Sequence, residues 1–254
     1  MADSLVIIPT YNERENISAI IDAVFALDEY AFDVLVVDDN SPDGTAAIVD
    51  EKIAGSEGRL HILKREGKQG LGTAYIAGFR WALDNGYEYV IEMDADFSHN
   101  PADLVRLRRA CDDDNADVAV GSRYVSGVNV VNWPLGRILM SYGASIYVRL
   151  ITGMKVKDST AGFVCYRSEV LREINLDLIE FKGYAFQIEM KFTAHRMGFK
   201  IVEVPIVFTN RVLGTSKMSG GIFGEALTGV IKLRWGSIFD KKKYTRCSVL
   251  KPNK

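Results

Sequence analysis

Between Ser4 and Gly121 the chain alternates short apolar runs with stretches of helical periodicity, and this alternation constrains the fold more than any other feature. The runs are Ser4–Pro9, Asp33–Val37, Leu60–Leu63, the segment from Val90 to Met93, and Asp117–Gly121. Each is continuously apolar rather than alternating, as expected of strands covered on both faces. Between them, Ile17, Ile20, Ile21, Val24 and Phe25 recur at helical spacing, as do Ala74, Ala77, Gly78, Trp81 and Ala82, then Leu104, Val105, Leu107 and Cys111. Strands alternating with helices predict an α/β class with a doubly wound, mostly parallel sheet. Helix starts are expected at Asn12 with Glu15 three residues on, at Ser41 ahead of Pro42, and at Asn100-Pro101.

Beyond Gly121 the pattern loosens. A loop carries Arg123 and Tyr124 and runs through Asn132-Trp133-Pro134. A helix is expected over Arg137–Ile151, a polar turn at Lys157–Thr160, a short apolar piece at Ala161–Tyr166, and a helix over Tyr184–Met197. Ile201–Phe208 reads as extended, with Pro205 marking an edge or a bend. A loop rich in glycine, serine and basic residues spans Thr209–Gly221, and a last patterned segment spans Ile222–Phe239.

With 254 residues, 48% of them hydrophobic, the chain can bury one sizeable core. A net charge of −2 gives no basis for a nucleic-acid partner. Cys111, Cys165 and Cys247 are widely spaced, without a metal-ligand pattern, which suits free thiols in a reducing compartment. No run approaches the ~20 apolar residues of a membrane span. The expectation is a soluble chain or one resting on a membrane surface.

The candidate site gathers where the strands end. The run from Val90 stops in Asp94-Ala95-Asp96, and if it continues as a strand the two carboxylates face one side. Paired carboxylates repel unless a cation sits between them, and hard oxygen ligands favour Mg²⁺ or Mn²⁺; the alternative is a pair of solvated acids at a strand exit. In a parallel sheet Glu13, Asp38 and Asp39 share that edge, where ligands of open α/β sheets bind. Helix capping is the other reading of Glu13 and Asp38. The loop Gly67-x-x-Gly70-x-Gly72 lacks dinucleotide-fingerprint spacing, so it is either a tight turn into a helix or a place where Lys68 meets a phosphate. Arg123, Arg211 and Lys217 are the basic counterparts, the last two in a loop that either closes over a diphosphate or is simply solvated. His99 reads as a loop or capping residue, and Ile222–Phe239 as a helix lying on a membrane or packed on the core.

Several of these segments, taken in order, carry a resemblance. Pro9–Glu13, Asp38–Thr45, Gly70–Tyr75, Asp94–His99 and Gly121–Tyr124 resemble the glycosyltransferase family 2 enzymes, and among them the polyprenol (dolichol) phosphate mannose synthases. Asp158–Phe163, Gly183–Met190 and Arg211–Lys217 extend the match, which covers roughly Leu5 to Leu233. The resemblance implies a glycosyltransferase A fold with a C-terminal acceptor-side extension. It implies one domain over 1–240, with a nucleotide-binding half (1–121) and an acceptor-binding half (122–240), followed by a basic tail over 241–254 expected to fray. It implies inverting, metal-dependent transfer of mannose from GDP-mannose to a polyprenyl phosphate at the cytoplasmic face of a membrane, with room for a membrane-anchoring partner protein.

Carried over residue by residue, the resemblance gives guanosine to Pro9, Tyr11, Glu13, Val37 and Asp39. It gives metal and diphosphate to Asp94, Ala95, Asp96 and Ser98, and the phosphates of donor or acceptor to Arg123, Arg211 and Lys217. Asp96, Arg123, Arg211 and Lys217 would be catalytic. Some family members carry C-terminal transmembrane helices; this chain resembles the type without them. A sister enzyme using UDP-glucose is the nearest rival, since sugar choice depends on pocket shape. A binding module without activity would have no need of the Asp94/Asp96 pair, and a nucleotidyltransferase would need a glycine-rich basic loop where Thr10–Arg14 stands.

Overall fold

The computed structural model of the chain describes residues 2–183, 185–210, 222–240 and 242–250. Its strands are β1 (Ser4–Thr10), β2 (Phe32–Asp38), β3 (Leu60–Lys64), β4 (Tyr89–Glu92), β5 (Val118–Ser122), β6 (Val130–Val131), β7 (Val164–Arg167), β8 (Ile201–Pro205) and β9 (Phe208–Thr209). Its α-helices are α1 (Ile17–Phe25), α2 (Thr45–Ile53), α3 (Leu71–Asp84), α4 (Asp103–Asp112), α5 (Leu135–Thr152), α6 (Ser168–Glu173), α7 (Ala185–Arg196), α8 (Ile222–Phe239) and α9 (Cys247–Leu250). Seven strands form one sheet in the order β3-β2-β1-β4-β7-β5-β8, and β6 and β9 form a small second one.

Continuous apolar strands demand cover on both faces, and both are covered. Leu5 and Ile7 of β1 pack toward α3 and α7, with Tyr75, Phe79, Phe186 and Met190. Val6 and Ile8 turn the other way, toward Ile17, Ile20 and Ile21 of α1 and Leu104 and Leu107 of α4. Each such side chain, fully buried, contributes about 1.5–3 kcal/mol. A third cluster joins α5, α7 and α8 through Val148, Ile188, Phe192, Val230 and Leu233.

The sheet is mostly parallel, as expected, but β7 enters antiparallel between β4 and β5. β8 lies at the edge, where a proline costs no ladder bond. The strand before the two aspartates stops at Glu92, so Asp94 and Asp96 lie in the following loop and strand alternation does not orient them. Two helix starts are also corrected. Asn12 has φ +57° and precedes α1 by five residues, and Ser41 caps nothing, α2 beginning at Thr45. Instead the Ser41 hydroxyl accepts the Asn12 N–H (3.0 Å), sewing the loops after β1 and β2 together. In the stretch expected to fray, Lys243 and Tyr244 are buried against α7 and α8. All three cysteines are free.

Candidate active site

β3, β2, β1, β4 and β5 run in one direction, so the residues after them share one edge. On its nucleotide side, Pro9 and Val37 are register partners and the next pair is Thr10 and Asp38. Asp38 is spent on structure: it accepts Thr10 Oγ1 (2.8 Å) and the hydroxyl and amide of Ser41 (2.6 and 2.9 Å). Asp39 is buried beside Arg65, with Nε 3.2 Å from Oδ1. Burial raises its carboxyl above the usual range, although Arg65 opposes that. The Glu13 amide donates to Thr45 Oγ1 and its carboxylate accepts from Asn16. Lys68 lies 5.1 Å above the Tyr11 ring, so the glycine loop reaches the same side. The glycines themselves serve packing. A Cβ on Gly72 would fall 2.8 Å from Phe181 O and the Phe186 ring, and one on Gly70 2.8 Å from Lys182 O.

Beyond β4, Ala95, Asp96 and Ser98 are buried while the Asp94 side chain is 39% exposed. Asp96 Oδ1 accepts the Ser98 amide (3.0 Å), and Phe97 turns the loop with φ +59°. His99 stacks on Phe163, 4.7 Å between centroids, and its Nδ1 accepts the Asp94 N–H. Burial pushes its imidazole down to about 4, so the ring is neutral and its proton sits on Nε2. Asp94 and Asp96 supply hard oxygen donors, and no group of three or more metal-ligating side chains exists among the described residues. That donor set fits Mg²⁺ or Mn²⁺ completed by phosphate oxygens and water, the usual habit of Mg²⁺ sites.

Arg123, just past β5, is clamped by the buried Asp158: Nε and Nη2 donate to its two oxygens at 2.7 Å each, and Nη2 also reaches Thr160. This fork holds Asp158 below the usual carboxylate range against the opposing effect of burial. The Arg123 guanidinium lies 5.5 Å from the Trp133 ring, and that of Arg137, from the first turn of α5, 3.9 Å from the same ring. Arg137 also donates to Asn210 Oδ1. The Thr209 amide bonds Ser98 O (3.2 Å), so the chain leading to Arg211 leaves from the Asp94–Ser98 loop. Arg211 and Lys217 lie outside the described residues.

Sequence reasoning missed two features. In the sequence Arg137 marks only the start of a helix. Glu92 lies within an apolar strand and is fully buried; its Oε2 accepts from Gln187 Nε2 (2.9 Å), and Lys191 Nζ binds Gln187 Oε1 and Ala161 O. Burial raises the Glu92 carboxyl to about 8 and lowers Lys191 to about 8. An acid inside an otherwise apolar run was the available signal.

The family model "Glycosyl transferase family 2" matches residues 5–175. An undecaprenyl-phosphate mannosyltransferase of Micrococcus luteus is 51% identical over 91% of this chain and 93% of its own. A polyprenol monophosphomannose synthase of Mycolicibacterium smegmatis is 49% identical over 92% of this chain and 86% of its own. Among solved structures, glucosyl-3-phosphoglycerate synthase from Mycobacterium tuberculosis, in complex with Mn²⁺, UDP and glucosyl-3-phosphoglycerate, superposes with a TM-score of 0.64 at 19% identity, covering 93% of this chain and 79% of that one.

Proposed function

The chain belongs to glycosyl transferase family 2 and has the glycosyltransferase A fold, and we propose that it transfers mannose from GDP-mannose to a polyprenyl phosphate, inverting the anomeric centre. One observation carries the reading: at one edge of the sheet an acidic loop, Asp94–Asp96, adjoins a basic pair, Arg123 and Arg137, that shares the Trp133 ring. The acidic side suits a metal-bound diphosphate and the basic side an anionic acceptor. The names of the two bacterial relatives support mannose as the sugar and a polyprenyl phosphate as the acceptor.

Asp39 and Glu13 would read the base. Guanine presents an N–H and an amino group side by side, a match for a carboxylate, whereas uracil offers a single N–H. A bound divalent ion would neutralise charge on the departing diphosphate. Asp94 and Asp96 would hold it, with His99 fixing the Asp94 backbone. Arg137 and Arg123 would orient the acceptor phosphate, Asp158 keeping Arg123 in place. An oxygen of that phosphate forms the new bond to the anomeric carbon as the bond to the diphosphate breaks, and the electron pair leaves with GDP. A phosphate monoester is ionised near neutrality, its second pKa being about 6, so no side chain has to remove a proton. Arg211 and Lys217 would add positive charge to the same phosphates.

GDP-mannose, GDP-glucose and UDP-glucose should be offered in parallel with a polyprenyl phosphate in detergent. Lipid-linked mannose from GDP-mannose alone, lost with EDTA and restored by Mn²⁺ or Mg²⁺, is the expected outcome. Transfer only from UDP-glucose would overturn the donor assignment, and full activity in EDTA the metal.

A further inference from the structure

The ladder between β4 and β7 ends at the pair Glu92 and Val164, and there the two chains part. One continues into the Asp94–Ser98 loop. The other is entered from Asp158–Phe163, the loop whose Asp158 and Thr160 hold Arg123. Beyond the ladder a further join comes from α7, where Gln187 and Lys191 lie one turn apart and are fully buried. Lys191 Nζ donates to Ala161 O (2.6 Å), Gln187 O (3.0 Å) and Gln187 Oε1 (3.1 Å). These three acceptors match the three protons of an ammonium group. The Gln187 side chain passes the link on, its Nε2 donating to Glu92 Oε2 (2.9 Å). A continuous buried path therefore runs from Glu92 through Gln187 and Lys191 to Ala161. One end lies just before Asp94 and the other just after the residues that grip Arg123.

We propose that Lys191, acting through Gln187, is a positioning residue that fixes the spacing between the acidic loop and Arg123, an inference that rests on the proposed transfer reaction. Two observations favour positioning over plain stabilisation. A buried ammonium has lost its hydration, and apolar side chains of similar volume often serve stability as well or better. The Asp158 loop is also anchored without Lys191: Glu203 Oε2 accepts the Lys157 N–H (2.8 Å) and Oε1 the Asp158 N–H (2.9 Å). What Lys191 adds is a connection from that loop to the end of β4. The consequence is chemical. In the proposed reaction an oxygen of the acceptor, oriented by Arg123, must meet an anomeric carbon whose diphosphate sits at the acidic loop. Displacing one reacting group by about 1 Å can cost about 10²-fold in rate, even when the change is made far from the chemistry. Loosening this crosspiece thus disturbs the meeting of two bound substrates rather than the binding of either.

The test compares the full chain with Lys191→Met, Gln187→Met and Glu92→Gln/Lys191→Met. The double variant removes both buried charges and still lacks the bond to Ala161 O. Calorimetry gives the Kd of GDP with Mn²⁺, and initial rates with GDP-mannose and a short, water-soluble polyprenyl phosphate give kcat and KM. In all three variants kcat should fall about tenfold to a hundredfold, while Kd and KM stay within about threefold of wild type. The double variant should melt close to wild type with kcat still low. If Lys191→Met does not fold, the double variant gives the same reading. Recovery of kcat along with the melting temperature would leave Lys191 a structural role alone and overturn the inference. So would a raised KM at unchanged kcat, the mark of lost binding. Amide hydrogen exchange of the free proteins needs no acceptor: residues 93–98 and 158–163 should both exchange faster in the variants, while β4 and β7 do not. Faster exchange at 158–163 alone would also overturn it. A wild type that transfers no mannose, with exchange raised at both loops in the variants, would sink the proposed reaction and leave the crosspiece standing.

Discussion

His99 Nδ1 accepts the backbone N–H of Asp94 at 3.2 Å, and the ring is held flat against Phe163. A neutral, buried imidazole thus fixes the backbone of a carboxylate whose side chain remains 39% exposed. His99→Ala removes the acceptor and leaves an amide unpaired. The expected effect is on metal use more than on chemistry: the Mn²⁺ concentration for half-maximal transfer should rise about 10–100-fold, as for lost supporting contacts at metal sites. Excess Mn²⁺ should restore most of kcat. A metal titration of initial rates distinguishes this from a general loss of activity.

Asp96 is the more buried of the two acids, and its Oδ1 already accepts the Ser98 amide. Asp96→Asn keeps the shape and removes the charge. Turnover should fall by about 10²–10³, the usual effect of removing one good electrostatic contact in the transition state. The melting temperature should stay within a few degrees of wild type. A variant with near-normal turnover and unchanged metal dependence would remove Asp96 from the site.

How much of this was legible in the sequence follows from which interactions are local. The four strand–helix units from β1 to α4, and β5 after them, write themselves as period, so Ile7 and Ile20 reveal their environment without any partner being known. The antiparallel β7 does not: Val164 and Cys165 form an apolar run with no mark of which strands they join, because that pairing links residues more than forty positions apart. Asn12 and Ser41 are legible as polar side chains that bond to backbone, but not as bonding between two loops. Arg123 is legible only as a basic residue in a loop, and its clamp by Asp158, thirty-five residues on, has no local trace. Glu92 was hidden because its one anomaly, a charge inside an apolar run, was outweighed by its neighbours.

Asp158 and Arg123 also make a stability prediction. Both side chains are at least 90% buried, and the fork leaves each dependent on the other. Asp158→Ala would strand the guanidinium, and breaking a buried pair from one side costs about 3–5 kcal/mol. The expected outcome is a clear loss of melting temperature together with weaker use of the acceptor. The double replacement Asp158→Ala/Arg123→Met should recover much of the stability and none of the activity. Chemical denaturation of the single and double variants measures the coupling.

The last prediction concerns pH. Glu92 is fully buried, and desolvation raises its carboxyl from 4.5 to about 8, with Lys191 and Gln187 opposing the shift. A carboxyl whose folded pKa lies above its unfolded one favours the folded state while both are protonated. That contribution is complete below about 4.5 and is lost as pH rises through about 8, because the unfolded chain gives up its proton first. The wild type should therefore lose up to a few kcal/mol across that window from this group. Glu92→Gln retains an oxygen to accept from Gln187 and cannot ionise, so its stability should vary less between pH 5 and pH 8, and at pH 8 it should exceed the wild type. Melting temperatures at half-unit pH steps, taken without divalent metal, decide the matter. Parallel curves for the two proteins would mean that Glu92 titrates near its ordinary value and that Lys191 carries the charge of this buried cluster differently.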